Sequence, residues 1–206
     1  MMPSDIINKL IVFEGIDGSG KTTVISIVAK KIMKHTEVSI LREPTSSQYG
    51  VEIRELLSNS ANPPLDRIMD LFINDRRLDV QKNIMPALDN GRIVLMDRYY
   101  YSNAAYQGAM GESPEKILAR NIENNFPSPD MVFFMKISPE AALDRISKRK
   151  NEAEIAEECF EKTEFLKKVE SVYADILPDH TYIIDATESP EYSAEKIFNI
   201  ISARYL

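Results

Sequence analysis

Gly15-Ile16-Asp17-Gly18-Ser19-Gly20-Lys21-Thr22 fits the pattern G-x-x-x-x-G-K-[ST] at every fixed position. The pattern has physical meaning only where a strand enters it and a helix leaves it, and both flanks comply. Leu10-Ile11-Val12-Phe13 is an apolar, strand-like run, and residues 22–34 read as a helix. Glycines let the backbone turn tightly, so that successive N–H groups point inward at anionic oxygens. The start of the helix adds the positive end of its dipole, Lys21 a cation and Thr22 a magnesium-facing hydroxyl. A Gly/Ser turn that happens to carry a lysine is the competing reading, and eight agreeing positions with both flanks set it aside. Residues Gly15 to Thr22, with Thr23 beside them, are therefore expected to hold a nucleoside triphosphate or a similar polyphosphate.

Further strand-like runs follow at Val38–Leu41, Ile93–Met96, Met131–Met135 and Tyr182–Ile184. Helix-like periodicity fills 49–58, 65–88, 114–124, 139–149, 159–177 and 190–203. Strands alternating with helices predict right-handed crossovers and an α/β fold: a three-layer sandwich of the P-loop type, with about five parallel strands and helices on both faces. Ligands of such sheets bind at the carboxyl ends of the strands, where the loop lies.

The 206 residues show no repeat, linker or composition break, so one domain over 1–206 is expected. A net charge of −7 argues against a nucleic-acid partner, which usually demands a basic footprint. No apolar run approaches the roughly 20 residues of a membrane span, so no membrane partner is expected. The opening Met1–Asp5 lacks a basic n-region and an apolar core, and the sequence holds one cysteine, Cys159. Both fit a reducing, cytoplasmic setting. Residues 145–158 run from basic to acidic with few apolar anchors, which suits a flap or a solvated helix face equally.

Asp97 follows the third run, where a P-loop protein places a carboxylate for magnesium or its water shell, and Arg98 adjoins it. One neighbour can then face metal while the other faces phosphate. In Tyr99-Tyr100-Tyr101-Ser102-Asn103-Ala104-Ala105-Tyr106-Gln107, three consecutive tyrosines do not make one helix face. The small alanines admit a flat ligand or pack a helix, and the amides can read a base edge. Phe72 and Arg76 stand at i and i+4, so they share a face and could stack on a heterocycle and bond its rim. Taken alone, a core phenylalanine and a surface arginine would be the commoner roles. Arg42, at the end of the second run, is placed to face an acceptor phosphate or simply solvent.

Together, Phe13-Glu14-Gly15-Ile16-Asp17-Gly18-Ser19-Gly20-Lys21-Thr22-Thr23, Arg42-Glu43-Pro44, Phe72 with Asp75-Arg76, Asp97-Arg98-Tyr99, Ser102 and Ala105-Tyr106-Gln107 resemble the thymidylate kinase family of P-loop nucleoside monophosphate kinases. The resemblance runs in order from Leu10 to about Asp185, and includes Pro129-Asp130 and Tyr173. It implies transfer of the γ-phosphoryl group of ATP to dTMP with Mg²⁺, in a homodimer. Phe72 would stack on thymine, Arg76 bond its rim, and Asn103 or Ser102 meet the ring nitrogen, with Gln107 close by. Tyr106 would crowd the sugar 2′ position, and Asp17 would reach the 3′-hydroxyl or the metal shell. Arg98 would clamp donor and acceptor phosphates, Arg42 the acceptor phosphate with Arg54 as a second, and Tyr173 would help close the site. Thr22 and Asp97 would hold the metal. Where some members carry a basic residue after the loop aspartate, this chain has Gly18. The catalytic cation would then come from the lid at roughly 145–158, with Arg145, Lys148 and Arg149 as candidates beside Lys21 and Arg98.

Such a reaction needs positioning and charge neutralisation more than a general base, because the acceptor is already anionic. A deoxynucleoside kinase is the nearest rival, but it would want a carboxylate base near a hydroxyl. A non-catalytic nucleotide switch would carry Asn-Lys-x-Asp, and the only Asn-Lys, Asn8-Lys9, lacks the aspartate.

Overall fold

The computed structural model describes residues 9–59, 64–148 and 156–206. Five strands, β1 (Leu10–Glu14), β2 (Val38–Arg42), β3 (Ile93–Asp97), β4 (Met131–Lys136) and β5 (Tyr182–Asp185), form one parallel sheet in the order β2-β3-β1-β4-β5. Successive side chains of a strand point to opposite faces, and here both faces are covered. Ile11 and Phe13 join Ile93 and Leu95 in one apolar cluster, while Leu10 and Val12 join Val94 and Met96 in another. This explains why the strands read as unbroken apolar runs. Each strand continues one residue beyond its run, to Glu14, Arg42, Asp97, Lys136 and Asp185. Backbone pairing there outlasts the apolar side chains. Because Phe13 and Arg42 both pair with Asp97, the polar ends of β1, β2 and β3 line up along one edge of the sheet.

Helices α1 (Lys21–Ile32) and α9 (Pro190–Tyr205) pack on the first face. Helices α2 (Gln48–Asn59) and α3 (Leu65–Asp79) lead into a π-helical turn (Val80–Ile84) and α4 (Met85–Asp89), so the segment expected as one helix changes pitch midway. The turn ends where Pro86 enters, whose ring and missing N–H bar the ordinary ladder. Helix α5 (Tyr100–Ala109) takes up the tyrosine run; Tyr99 precedes it in extended backbone, and Ala104 and Ala105 are fully buried. Helices α6 (Pro114–Glu123), α7 (Pro139–Ser147) and α8 (Ala156–Ile176) complete the described elements.

Three of these helices start with the same triplet, Ser-Pro-Glu, at Ser113, Ser138 and Ser189. Each serine accepts a bond from the amide three residues on, at 3.3, 3.2 and 3.1 Å. Proline at the first helical position forfeits an N–H that had no partner anyway, and glutamate in the first turn complements the dipole.

Candidate functional site

The site grows from the ends of β1 and β3. Lys21 is buried, and its ammonium donates to the carbonyls of Gly15 and Ile16 (both 2.9 Å) and to Ser19 Oγ (3.2 Å). Burial and the positive charge of Arg98 push Lys21 down to about 7, against the pull of Asp97, Asp17 and Glu14. A phosphate at the loop would restore its charged form. Thr22 Oγ1 donates to Asp97 Oδ2 at 2.7 Å, while the buried Asp97 Oδ1 has no partner among the described residues. A hydroxyl and a spare carboxylate oxygen suit a hard divalent cation. No group of three or more metal-binding side chains occurs among the described residues.

Helix α7 lies against the loop. A Cβ at Gly18, whose φ is +84°, would stand 2.4 Å from the Ala142 carbonyl oxygen. A side chain at position 18 therefore has no room. One turn later, Arg145 donates to the Ala186 carbonyl at 2.7 Å, and its Nη1 comes within 3.8 Å of where a Gly20 Cβ would be. Lys148 is exposed and pairs with Asp144 at 2.6 Å, away from the loop, and Arg149 lies outside the described residues, as do 150–155 of the expected lid. Gly18→Ala is expected to destabilise the protein by about 1–2 kcal/mol through left-handed backbone strain alone, before any cost of displacing α7. An unchanged urea midpoint would show that the loop yields freely.

Arg98 sits in left-handed backbone at φ +69° and reaches two elements at once. It donates to Asp17 Oδ1 (2.7 Å) and to Ser102 Oγ (2.9 Å), with the Tyr106 hydroxyl at 3.3 Å. Crowding pushes the Asp17 carboxyl up, but the charges of Arg98 and Lys21 outweigh it and hold the group below its ordinary range. Asp17 also accepts from the Tyr106 hydroxyl at 3.1 Å. Behind this group is Glu14, fully buried at the end of β1. Its carboxylate accepts from the Tyr99 amide (2.9 Å), the Ser102 amide (3.2 Å), the Ser102 hydroxyl and the Tyr173 hydroxyl (3.0 Å). Burial raises the Glu14 carboxyl; the Ser102 bond and the Arg98 charge oppose the rise. Glu14 was visible in sequence only as an acidic residue ending an apolar run. Tyr173 is fully buried and joins α8 to Ser102 and Glu14, and it does not line the cavity.

A cavity of about 710 Å³ opens from Asp17 and Arg98 toward β2 and α3. Arg42, Arg54, Phe72, Ser102, Asn103, Tyr106 and Gln107 all line it, so residues 65 positions apart meet in one space. Arg42 is exposed at its wall, and Arg54 donates to the Pro44 carbonyl at 3.1 Å. Asn103 Nδ2 donates to Gln107 Oε1 at 2.8 Å. That bond leaves Asn103 Oδ1, an acceptor, and Gln107 Nε2, a donor, both buried and without partners among the described residues. Buried polar atoms are normally bonded, so these two residues keep one acceptor and one donor free for a ligand or an ordered water.

Arg76 departs from its expected place. Its side chain is fully buried, does not line the cavity, and is forked onto Glu43, with a further bond to Asn121 Oδ1. Its guanidinium lies 4.9 Å from the centre of the Tyr99 ring. Burial raises the Glu43 carboxyl, and the Arg76 charge opposes that rise. Nothing in the i, i+4 spacing with Phe72 marks Glu43 or Asn121 as partners, because they lie 33 and 45 residues from Arg76.

Comparison with known proteins bears on what this geometry is for. A family model described as Thymidylate kinase matches residues 13–197. A "Thymidylate kinase" of Leptospira borgpetersenii serovar Hardjo-bovis is 37% identical over 191 residues, covering 92% of this chain and 91% of the relative. A "Probable thymidylate kinase" of Archaeoglobus fulgidus is 36% identical over 195 residues, with 94% and 95% covered. A "Thymidylate kinase" of Desulfotalea psychrophila is 40% identical over 182 residues, with 88% of each covered.

Proposed function

The chain belongs to the thymidylate kinase family, and from that premise we propose that it transfers the γ-phosphoryl group of ATP to the 5′-phosphate of dTMP, giving dTDP and ADP. An oxygen of the dTMP phosphate attacks the γ-phosphorus while the bond from that phosphorus to the β–γ bridging oxygen breaks, and ADP departs with the electron pair. The unpaired Asn103 Oδ1 and Gln107 Nε2 carry the reading. An acceptor beside a donor complements a pyrimidine imide, which offers N3–H next to a carbonyl oxygen.

In this reading Phe72 stacks on the base, while Arg76 braces the wall behind it through Glu43. Lys21 and the loop amides take the ATP phosphates, Arg98 spans donor and acceptor, and Arg42 and Arg54 draw in the acceptor phosphate. Of the lid candidates, Arg145 lies beside Gly20, and we assign it the lid's charge-neutralising role. Thr22 and Asp97 would hold Mg²⁺, which would supply charge neutralisation for the phosphates. The whole chain acts as one nucleoside monophosphate kinase domain whose lid lies near 145–158.

We also propose a cytoplasmic homodimer. Among the described residues no helix is long and apolar enough to cross a membrane. Ile122, 75% exposed on α6, and Val51 on α2 are apolar surface that a partner copy would cover. Sedimentation velocity tests it: a monomer at micromolar concentration refutes the dimer.

An ATP-coupled assay over nucleoside monophosphates and nucleosides tests the reaction. Turnover of dTMP with thymidine inert supports it; thymidine turnover without dTMP would transfer the chain to the nucleoside kinases. Because the Tyr106 hydroxyl is tied to Asp17 and Arg98, its ring stands fixed, and in this reading it faces the sugar. Tyr106→Ala should narrow the preference for dTMP over its ribonucleotide by about tenfold, the scale of one lost polar contact plus new room. An unchanged ratio removes Tyr106 from sugar selection.

A further inference from the structure

Helix α5 begins without a cap of its own, because the Tyr99 side chain before it accepts no bond from the first-turn amides. The acceptor comes from β1 instead. Glu14, fully buried at the end of that strand, takes the Tyr99 amide at 2.9 Å and the Ser102 amide at 3.2 Å on Oε1. A carboxylate 85 and 88 residues away thus does what a local serine or aspartate usually does. Its other oxygen, Oε2, meets the hydroxyls of Ser102 and Tyr173. A carboxylate only accepts, so the single proton of the Ser102 hydroxyl goes to Glu14. The Ser102 oxygen is thereby left as an acceptor. It receives Arg98 Nη1 at 2.9 Å, with the Tyr173 hydroxyl 2.7 Å away.

We infer that Glu14 is a positioning residue for phosphoryl transfer: by holding the Ser102 proton it turns the Ser102 lone pair toward Arg98 and so aims the guanidinium. The inference rests on the proposed reaction, in which Arg98 spans donor and acceptor phosphates. Of the two anchors of Arg98, Asp17 is exposed and sits on the phosphate loop itself, whereas Ser102 is buried and backed by Glu14. The buried anchor therefore sets the aim, in the way a second layer of hydrogen bonds locks a reacting group. Exchange of Glu14 for glutamine keeps the shape and reverses the chain of bonds. The two backbone N–H groups need the amide oxygen, so the amide NH₂ falls on the side of the Ser102 and Tyr173 hydroxyls. An NH₂ group donates, so Ser102 must accept from it and turn its own proton toward Arg98, which is itself a donor. The Arg98–Ser102 bond is then lost although neither residue has changed.

The test is a double-mutant cycle on kcat, measured with ATP and the acceptor both saturating. Glu14→Gln is expected to lower kcat about ten- to a hundredfold, the scale of one hydrogen bond to a charged group, and to leave both KM values within about threefold. In an Arg98→Ala background the same substitution should change kcat by less than about twofold, since the guanidinium it aims is gone. Ser102→Ala, which cuts the link and leaves the carboxylate in place, should absorb the Glu14 effect in the same way. Should Glu14→Gln fail to fold, Glu14→Asp takes its place in the cycle, as a shorter carboxylate that keeps the charge and loses the reach to Ser102. Equal losses in the wild-type and Arg98→Ala backgrounds overturn the proposal and mark Glu14 as a structural cap of α5. So does a wild-type kcat in Glu14→Gln, or a loss confined to KM. The cycle is run on whichever monophosphate or nucleoside turns over, so an inert dTMP sinks the dTMP reading and still leaves the cycle to decide the role of Glu14.

Discussion

Replacing Arg98 by alanine is expected to lower kcat by about 10³-fold, the scale for losing an arginine that stabilises phosphoryl-transfer charge. The argument starts from its position. Arg98 holds a backbone conformation unusual for a side-chain-bearing residue, at φ +69°, and spends two guanidinium nitrogens on Asp17 and Ser102. Those two acceptors fix the fork before any ligand arrives, so its alignment costs little at the moment of reaction. Behind Ser102 stands the buried Glu14 carboxylate, whose charge balances a cation held 91% out of water. Arg98→Lys keeps the charge but loses the fork, and should recover only part of the rate. ATP affinity, measured by nucleotide fluorescence, should change less than tenfold in either variant. A fall in kcat below tenfold for Arg98→Ala would remove Arg98 from the reacting centre.

Arg76→Ala should act first on stability. The Arg76 side chain is wholly buried, and its loss leaves the Glu43 carboxyl buried with no guanidinium opposite it. Breaking a buried pair by removing one partner typically costs about 3–5 kcal/mol. Asn121 loses its donor as well, and Tyr99 its cation over the ring. Urea denaturation measures the loss directly. The double variant Arg76→Met with Glu43→Leu should recover most of it, since two apolar groups of similar volume leave no charge stranded. If Arg76→Ala keeps wild-type stability while KM for dTMP rises, the guanidinium serves the substrate and not the wall. The stability effect also sets how any kinetic result is read, because a softened β2–α3 wall would loosen Phe72 and Arg42 together.

The two cases separate what was legible early from what was not. That the glycine-rich loop, Asp97-Arg98 and Phe72 would gather near the ends of β1 and β3 was readable, because each is a short local pattern attached to a strand end or a helix face. The role of Arg76 was not. Spacing put it on Phe72's face, but a helix face is broad, and only the fold shows that the guanidinium turns inward to Glu43. Gly18 illustrates the converse. Sequence marked it as a departure that moves a cation elsewhere, and the structure supplies the cause, a carbonyl of α7 standing where its Cβ would be.

By itself, the sequence determined the parallel α/β fold, its five strands and the glycine-rich loop between β1 and α1. These follow from apolar periodicity and glycine conformations, which act within a few residues. Only the tertiary structure decided the strand order, the burial of Arg76 and Tyr173, and the unpaired groups of Asn103 and Gln107. Those depend on which side chains meet across 33 to 159 residues of chain. The physical reason is that a buried polar atom is judged by its partners, and partners are chosen by packing.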